Sequence, residues 1–404
     1  MREAHQVGGR ESAGAALLML NVGSSSLKFA LFDLAGGPRR VAGVFDRLGL
    51  GGAEMCVRKA GDDQAHTETL TARTAADCLP RLRRILAEEG GGPRLAGIAH
   101  RLVHGGMKFR EHQWVNAGMI EGLKEIVPLA PNHLPGAIAF MEAVSGALPG
   151  VPQAACFDTV FHRDLPRAAS LLPIPLRFEA QGVRRYGFHG LSYANLMRQL
   201  PAHAGAAAQG KVILAHLGNG ASLAAVHQGK CQDTTMGLTP LGGIVMSTRS
   251  GDIDPGVVTY LATLEHATPG GIEHLLAKES GLKGMSETSG DVRDLLARES
   301  KDPRAADALA VFCHQARKHV GAMAAVLGGV DVLVFAGGIG EHAAAVRERI
   351  CVPLGHLGIE LDAAANVRHG PRISRAGGKV QVWVLKTDEE QEMAEIVRGL
   401  RKAT

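Results

Sequence analysis

An apolar strand that runs into a glycine turn and straight out into a second strand occurs once in each half of the chain. This feature limits the fold more than any other. Residues 16–33, ALLMLNVGSSSLKFALFD, hold the first copy, with Leu27, Phe29 and Leu31 alternating with Lys28, Ala30 and Phe32 after the turn at Gly23. Residues 211–226, KVILAHLGNGASLAAV, hold the second, with Gly218-Asn219-Gly220-Ala221-Ser222 between two apolar strands. The repetition points to a duplicated, two-lobed architecture. Helical periodicity over 75–89, 134–148 and 306–327, and a last helix over 389–401, alternate with strands at 330–335 and 380–385. Such alternation builds α/β layers, with boundaries expected near residues 160 and 387.

Composition narrows the function. Lys and Arg number 44 against 40 Asp and Glu, and aromatic residues make up 4%. That balance lacks the charge excess and the stacking platforms of a nucleic-acid binder, so no nucleic-acid partner is expected. The six cysteines, Cys56, Cys78, Cys156, Cys231, Cys313 and Cys351, stand singly, with no zinc spacing, and read as reduced thiols of a cytoplasmic protein. Arginines precede a short apolar run at the amino end, but Asn21 interrupts it, so neither export nor membrane insertion is expected.

Glycine is in excess, 52 of 404 residues against an average near 7%. No G-x-x-x-x-G-K-[ST] loop accounts for it. Gly338-Ile339-Gly340-Glu341-His342-Ala343 fits G-x-G-x-x-A after a strand, yet a dinucleotide fold needs more chain than the 64 residues after Gly340. Each glycine turn alone reads as plain hairpin chemistry. Three of them, each behind an apolar strand, present N–H groups that suit phosphate oxygens.

The motifs now assemble. Leu20-Asn21-Val22-Gly23-Ser24-Ser25-Ser26-Leu27-Lys28, His100-Arg101-Leu102-Val103-His104-Gly105-Gly106 and Arg184-Arg185-Tyr186-Gly187-Phe188-His189-Gly190 resemble segments of the acetate kinase family. So do His216-Leu217-Gly218-Asn219-Gly220, the run from Asp233 through Thr248-Arg249-Ser250-Gly251-Asp252, Gly338 to Glu341, and Thr387-Asp388-Glu389-Glu390, all in the family's order. The resemblance implies the α/β, two-lobed fold of sugar kinases, Hsp70 and actin (ribonuclease H-like), with a duplicated mixed-sheet core and an interlobe active-site cleft. It implies an amino-terminal lobe 1–158 completed by 388–404, a nucleotide-binding lobe 159–387, and a homodimer.

Phosphoryl transfer asks a protein for positioning and charge neutralisation, and an ionised carboxylate acceptor needs no general base. Arg101 and Arg249 sit beside glycines in short motifs, as suits a planar fork gripping a carboxylate or phosphoryl group. By resemblance, Arg101 binds the acyl substrate, and Arg249 and His189 stabilise the transition state. Asp158 resembles the family's essential aspartate and is expected to orient an arginine or a magnesium-bound water; alone it would read as a turn or N-cap residue. Resemblance places Asn21 and Glu389 at a Mg2+ site, with Mn2+ a substitute, although Glu389 alone reads as a dipole-compensating acid. ATP or ADP is expected against Ser24, Ser26, Lys28, His216, Leu217, Gly218, Asn219, Gly220, Asp291, Val292, Arg293, Gly338, Ile339, Gly340, Glu341 and His342. Lys28 alone reads as the polar face of a strand, and His216 as a satisfied core histidine. Val103, Phe188, Pro240 and Asn132 are expected around a small acyl pocket.

Three positions depart from the family pattern. Asn132 stands where leucine is expected beside the pocket, Gly242 where glutamate is common, and His342 where asparagine ends the Gly-Ile-Gly-Glu motif. The activity implied is reversible transfer from ATP to acetate, giving acetyl phosphate. Propionate or butyrate kinase is the enzyme alternative, and an ATP-binding sensor or ATPase of the same fold the alternative from another class.

Overall fold

The computed structural model describes residues 14–89 and 94–403. At the amino end, residues 1–13 lie outside the described residues, and the apolar run beyond them is the first strand. The chain forms two compact units: residues up to Val160 together with Asp388 onward, and Phe161–Thr387.

The first unit carries β1 (Ala15–Val22), β2 (Leu27–Asp33), β3 (Arg39–Asp46), β4 (Ala53–Lys59), β5 (His66–Leu70), β6 (Arg94–Leu102), β7 (Gln113–Trp114) and β8 (Gln153–Phe157). They form one sheet in the order β5-β4-β3-β2-β1-β6-β8-β7. In the second unit β9 (Lys211–Leu217), β10 (Ala221–His227), β11 (Lys230–Thr234), β12 (Val332–Ala336) and β13 (Gln381–Val384) pair in the order β11-β10-β9-β12-β13. The duplication is therefore deeper than two glycine turns. In each unit three antiparallel strands (β3-β2-β1, β11-β10-β9) continue into two parallel ones (β6-β8, β12-β13).

The parallel half explains the continuous apolar runs, because such strands are covered on both faces. In β1 the first six residues are buried, and all of β12 is. Helix 134–147 buries Leu134, Ile138, Met141 and Val144 at helical spacing on one flank of the first sheet. The carboxy-terminal helix Glu389–Lys402 returns to the first unit, where Arg398 donates to the carbonyls of Asp33 and Leu34 and Arg401 to that of Ala96. Helix 303–327 starts three residues earlier than its apolar period predicts. Asp302 caps it by accepting from the Arg304 N–H, and Pro303 occupies the first turn, where its missing N–H costs nothing.

The third glycine segment opens a helix where the other two turn into strands: Gly337 takes φ +76° against the Leu217 carbonyl, and the chain then winds into helix 337–342. A β-carbon on Gly337 would meet that oxygen at 2.7 Å, so only glycine lets the strand turn there.

Each unit also buries a neutral histidine. His100 pairs its Nε2 with Gln153 Oε1 at 2.5 Å, and His162 sets Nε2 against the Phe188 carbonyl at 2.9 Å. Burial lowers both to about 4. The unfolded chain binds these protons first, so stability is full above pH 6.5 and falls as pH drops from 6.5 toward 4. Full titration costs about 3 kcal/mol per histidine. The melting temperature is expected to decline steadily over that window, and His100→Gln to flatten part of the slope. A melting temperature constant between pH 6.5 and 4 would contradict this account.

Candidate active site

In the first unit the site forms at the carboxyl ends of β1, β6 and β8, the place where α/β sheets bind ligands. Arg101 is near the end of β6, and Asp158 follows β8 directly, its N–H bonded to the Leu102 carbonyl at 2.9 Å. The two side chains meet: Arg101 donates through Nε at 3.1 Å and Nη2 at 2.5 Å to Asp158 Oδ2. Nη1 reaches Asn21 Oδ1 at 3.4 Å. Asp158 is fully buried, whereas the Arg101 side chain keeps 20% exposure, so the pair leaves part of a guanidinium open to a ligand. Burial opposes the Arg101 charge, but the Asp158 and Glu389 carboxylates outweigh it and hold the group protonated.

Glu389 opens the last helix, and its pKa is raised by burial, against the pull of Arg101 and Lys28. Lys28 is exposed on β2 directly opposite Asn21. Asn21, Lys28, Arg101, Asp158 and Glu389 thus belong to one cluster. Among the described residues no trio of His, Cys, Asp or Glu could hold a metal ion. Two oxygen donors, from Asn21 and Glu389, fit a cation that keeps waters and phosphate in its shell better than one needing a full protein cage. Ser24 is exposed and Ser26 half-buried in the turn. Val103 is buried. Asn132 is exposed in the turn before helix 134–147, so its amide carries no burial cost.

The second unit holds two further groupings. His189 caps helix 190–204 with φ +57°, a left-handed conformation that a non-glycine residue keeps only when its surroundings enforce it. Its ring stacks on that of His216, centroids 4.4 Å apart and planes at 22°. A β-carbon on Gly220 would lie 3.0 Å from His189 Nε2 and 3.6 Å from Arg249 Nη1, so the glycine turn, the histidine and the arginine are neighbours. Arg249 Nη1 also donates to the Pro240 carbonyl at 3.0 Å. Phe188 is buried, and its carbonyl faces His162.

Gly218, Asn219, Asp291, Val292, Arg293, Gly338, Ile339 and His342 line a cavity of about 430 Å³. Leu296 and Ala343 complete the lining and were not anticipated. Leu296 lies one helical turn beyond Val292, the only sequence signal that could have found it. Leu217, Gly340 and Glu341 do not line this cavity. Leu217 is buried in the sheet, and Gly340 packs on Phe335 and Ala215. Glu341 Oε1 accepts from the Gly337 N–H at 3.1 Å, so it braces its own helix. A third unanticipated residue, the fully buried Arg347, donates to the carbonyls of Gly340 and Glu341 at 2.8 and 3.0 Å and pins that helix from behind.

Known proteins resemble this chain over nearly its whole length. The acetokinase family model matches residues 16–395. The acetate kinase of Rhodopseudomonas palustris (strain ATCC BAA-98 / CGA009) is 41% identical over 385 residues, covering 94% of this chain and 96% of that one. The acetate kinase of Dictyoglomus turgidum is 40% identical over 388 residues, 94% and 96% of the two chains. Among solved structures, Porphyromonas gingivalis acetate kinase superposes with a TM-score of 0.87 at 34% identity, over 96% of this chain and 100% of that one. A propionate kinase from Francisella tularensis subsp. tularensis SCHU S4 gives a TM-score of 0.88 at 33% identity, over 95% and 98%. With the family match running from β1 into the last helix, and the strand order repeated in both units, this chain belongs to the acetokinase family.

Proposed function

We propose that this chain is an acetate kinase, catalysing reversible transfer of the γ-phosphoryl group of ATP to acetate. The observation that carries this reading is the Arg101–Asp158 pair: a buried carboxylate holds a partly exposed guanidinium at the carboxyl ends of β6 and β8. A pure ATPase has no carboxylate to grip, and a guanidinium fork matches one in both geometry and charge. Arg101 binds the acyl substrate, and Asp158 fixes its direction. The substrate carboxylate attacks the phosphorus directly, already ionised, so no residue needs to remove a proton.

Arg249 and His189 stabilise the charge spread over the transferring phosphoryl oxygens. The nucleotide occupies the 430 Å³ cavity, against Gly218 and Asn219 of the glycine turn. Asn21 and Glu389 hold magnesium, which when bound neutralises phosphate charge. Cytoplasmic residence belongs to the same reading; among the described residues no helix is long and apolar enough to cross a membrane.

The likeness to a solved propionate kinase, as good as that to the solved Porphyromonas gingivalis acetate kinase, favours propionate as a second substrate. One methylene in a small pocket changes binding by only about 1–3 kcal/mol. Hydroxylamine trapping with ATP and, separately, acetate, propionate or butyrate should yield acetyl hydroxamate fastest and propionyl hydroxamate more slowly. No hydroxamate from any of the three removes the carboxylate kinase reading, and ATP hydrolysis alone would leave the ATPase alternative.

A homodimer is part of this proposal, and we assign it to helix 255–264, which buries none of its residues. Val257, Tyr260 and Leu264 are exposed along one face, with Tyr260 at 66%. Light scattering should give twice the chain mass, and Tyr260→Glu should shift it toward a monomer. A monomeric parent protein would refute the assignment.

A further inference from the structure

The stacked histidines of the second unit each rest on a serine, and each serine is held by a further hydroxyl. His189 Nδ1 lies 2.8 Å from Ser222 Oγ, and the Tyr193 hydroxyl bonds the same oxygen. His216 Nδ1 lies 2.8 Å from Ser192 Oγ, which the Thr387 hydroxyl reaches at 2.8 Å. Ser192 and Ser222 are fully buried, so water cannot take over these contacts. Family resemblance accounts for the histidines and says nothing of the hydroxyls.

Proton bookkeeping gives the first chain a direction. Burial keeps the Tyr193 phenol protonated, so its hydroxyl has a proton to give. With Tyr193 donating to Ser222 Oγ, the Ser222 proton is left for His189 Nδ1. A ring that accepts at Nδ1 carries its own proton on Nε2. Thr387 places Ser192 and His216 in the same order. Both Nε2 atoms lie at the glycine turn, 3.0 Å from a β-carbon on Gly220 for His189 and 3.7 Å from one on Gly218 for His216.

We infer that Ser222 and Ser192 are positioning residues that hold His189 and His216 as neutral Nε2–H tautomers, so that two stacked imidazoles offer N–H donors to phosphate oxygens side by side. The stacking disfavours charging both rings at once, since two imidazolium ions at this spacing would repel each other. Two neutral donors supply hydrogen bonds without adding positive charge beside Arg249. The inference rests on the kinase reading for its purpose, but not for its first test.

That test is long-range 1H–15N correlation of the histidine ring nitrogens in the full-length protein without substrate. The expected result is a protonated Nε2 and a bare Nδ1 for both His189 and His216. Ser222→Ala should release His189 into a mixture of tautomers while leaving His216 unchanged, and Ser192→Ala should do the converse. Tyr193→Phe, which keeps the ring and drops only the hydroxyl, should move His189 in the same direction by less. In turnover, Ser222→Ala should lower kcat roughly 10–100-fold while KM for ATP and for acetate stay within about threefold, the usual size of losing an orienting partner. Matching melting curves would separate these effects from a damaged fold. Protons on Nδ1 in the parent protein, or tautomers unmoved by either serine substitution, would overturn the inference. Absence of hydroxamate would instead strike the kinase reading and leave the tautomer result standing.

Discussion

Asp158→Asn is expected to lower kcat by about 10²–10³-fold, the size found when one preorganised charge contact is removed from a site. The side chain is fully buried and takes two N–H groups of Arg101 on a single oxygen, at 3.1 and 2.5 Å. Asparagine keeps the shape and one acceptor but loses the charge. What remains near the guanidinium is Glu389, on a different element, and Asn21 at 3.4 Å. Arg101 is then free to swing toward Glu389, which weakens its grip on acetate and competes with the proposed magnesium ligand. KM for acetate should therefore rise together with the fall in kcat, and the magnesium concentration for half-maximal rate should increase. Steady-state kinetics across magnesium and acetate concentrations read all three. Nearly full turnover with unchanged magnesium dependence would remove the role proposed for this aspartate.

Local chemistry was legible in the sequence where it depends on neighbours along the chain. The turns at Gly23 and Gly218–Gly220 are hairpins because apolar strands flank them on both sides, and pattern alone finds such turns. The segment after β12 shares their glycines but starts a helix, because a helix-forming run, and not a returning strand, succeeds it, and that too is local pattern. Asn132 shows a different limit. Its place in a motif was readable, but its exposure depends on how the turn before helix 134–147 sits.

Long-range hydroxyl contacts were not legible. Ser222 is a lone polar residue within an apolar strand, a hint that a partner must exist. Nothing near it in sequence identifies Tyr193, 29 residues earlier, and nothing near Ser192 identifies Thr387, 195 residues later. The same holds for Arg347, whose buried guanidinium reaches backbone carbonyls of Gly340, Glu341 and Asn366 and the Asn366 side chain, 19 residues away.

Arg249→Ala should cost more than any other single change, about 10³-fold or greater in kcat, as for an arginine that meets the charge of a transferring phosphoryl group. KM for ATP should stay within a few-fold, because the cavity lining that holds the nucleotide does not include this residue. The arginine is held by its loop as much as by its own bonds. A β-carbon on Gly281, at φ +66°, would come within 2.3 Å of the Met246 carbonyl and 2.8 Å of the Arg249 backbone, and one on Gly251 would meet the Gly243 carbonyl at 2.5 Å. These approaches let the loop fold back tightly enough to set Arg249 Nη1 on the Pro240 carbonyl, beside His189 and Gly220. Arg249→Lys keeps the charge but loses the planar fork, so it should recover only a small part of the lost rate. Gly281→Ala keeps the arginine and displaces its loop, so it should fall between the parent and Arg249→Ala, with kcat affected more than KM. If Arg249→Ala retained more than about a tenth of the parent kcat, the phosphoryl-stabilising role would have to pass to another group. His189, on the other side of the same glycine, would then be the first candidate.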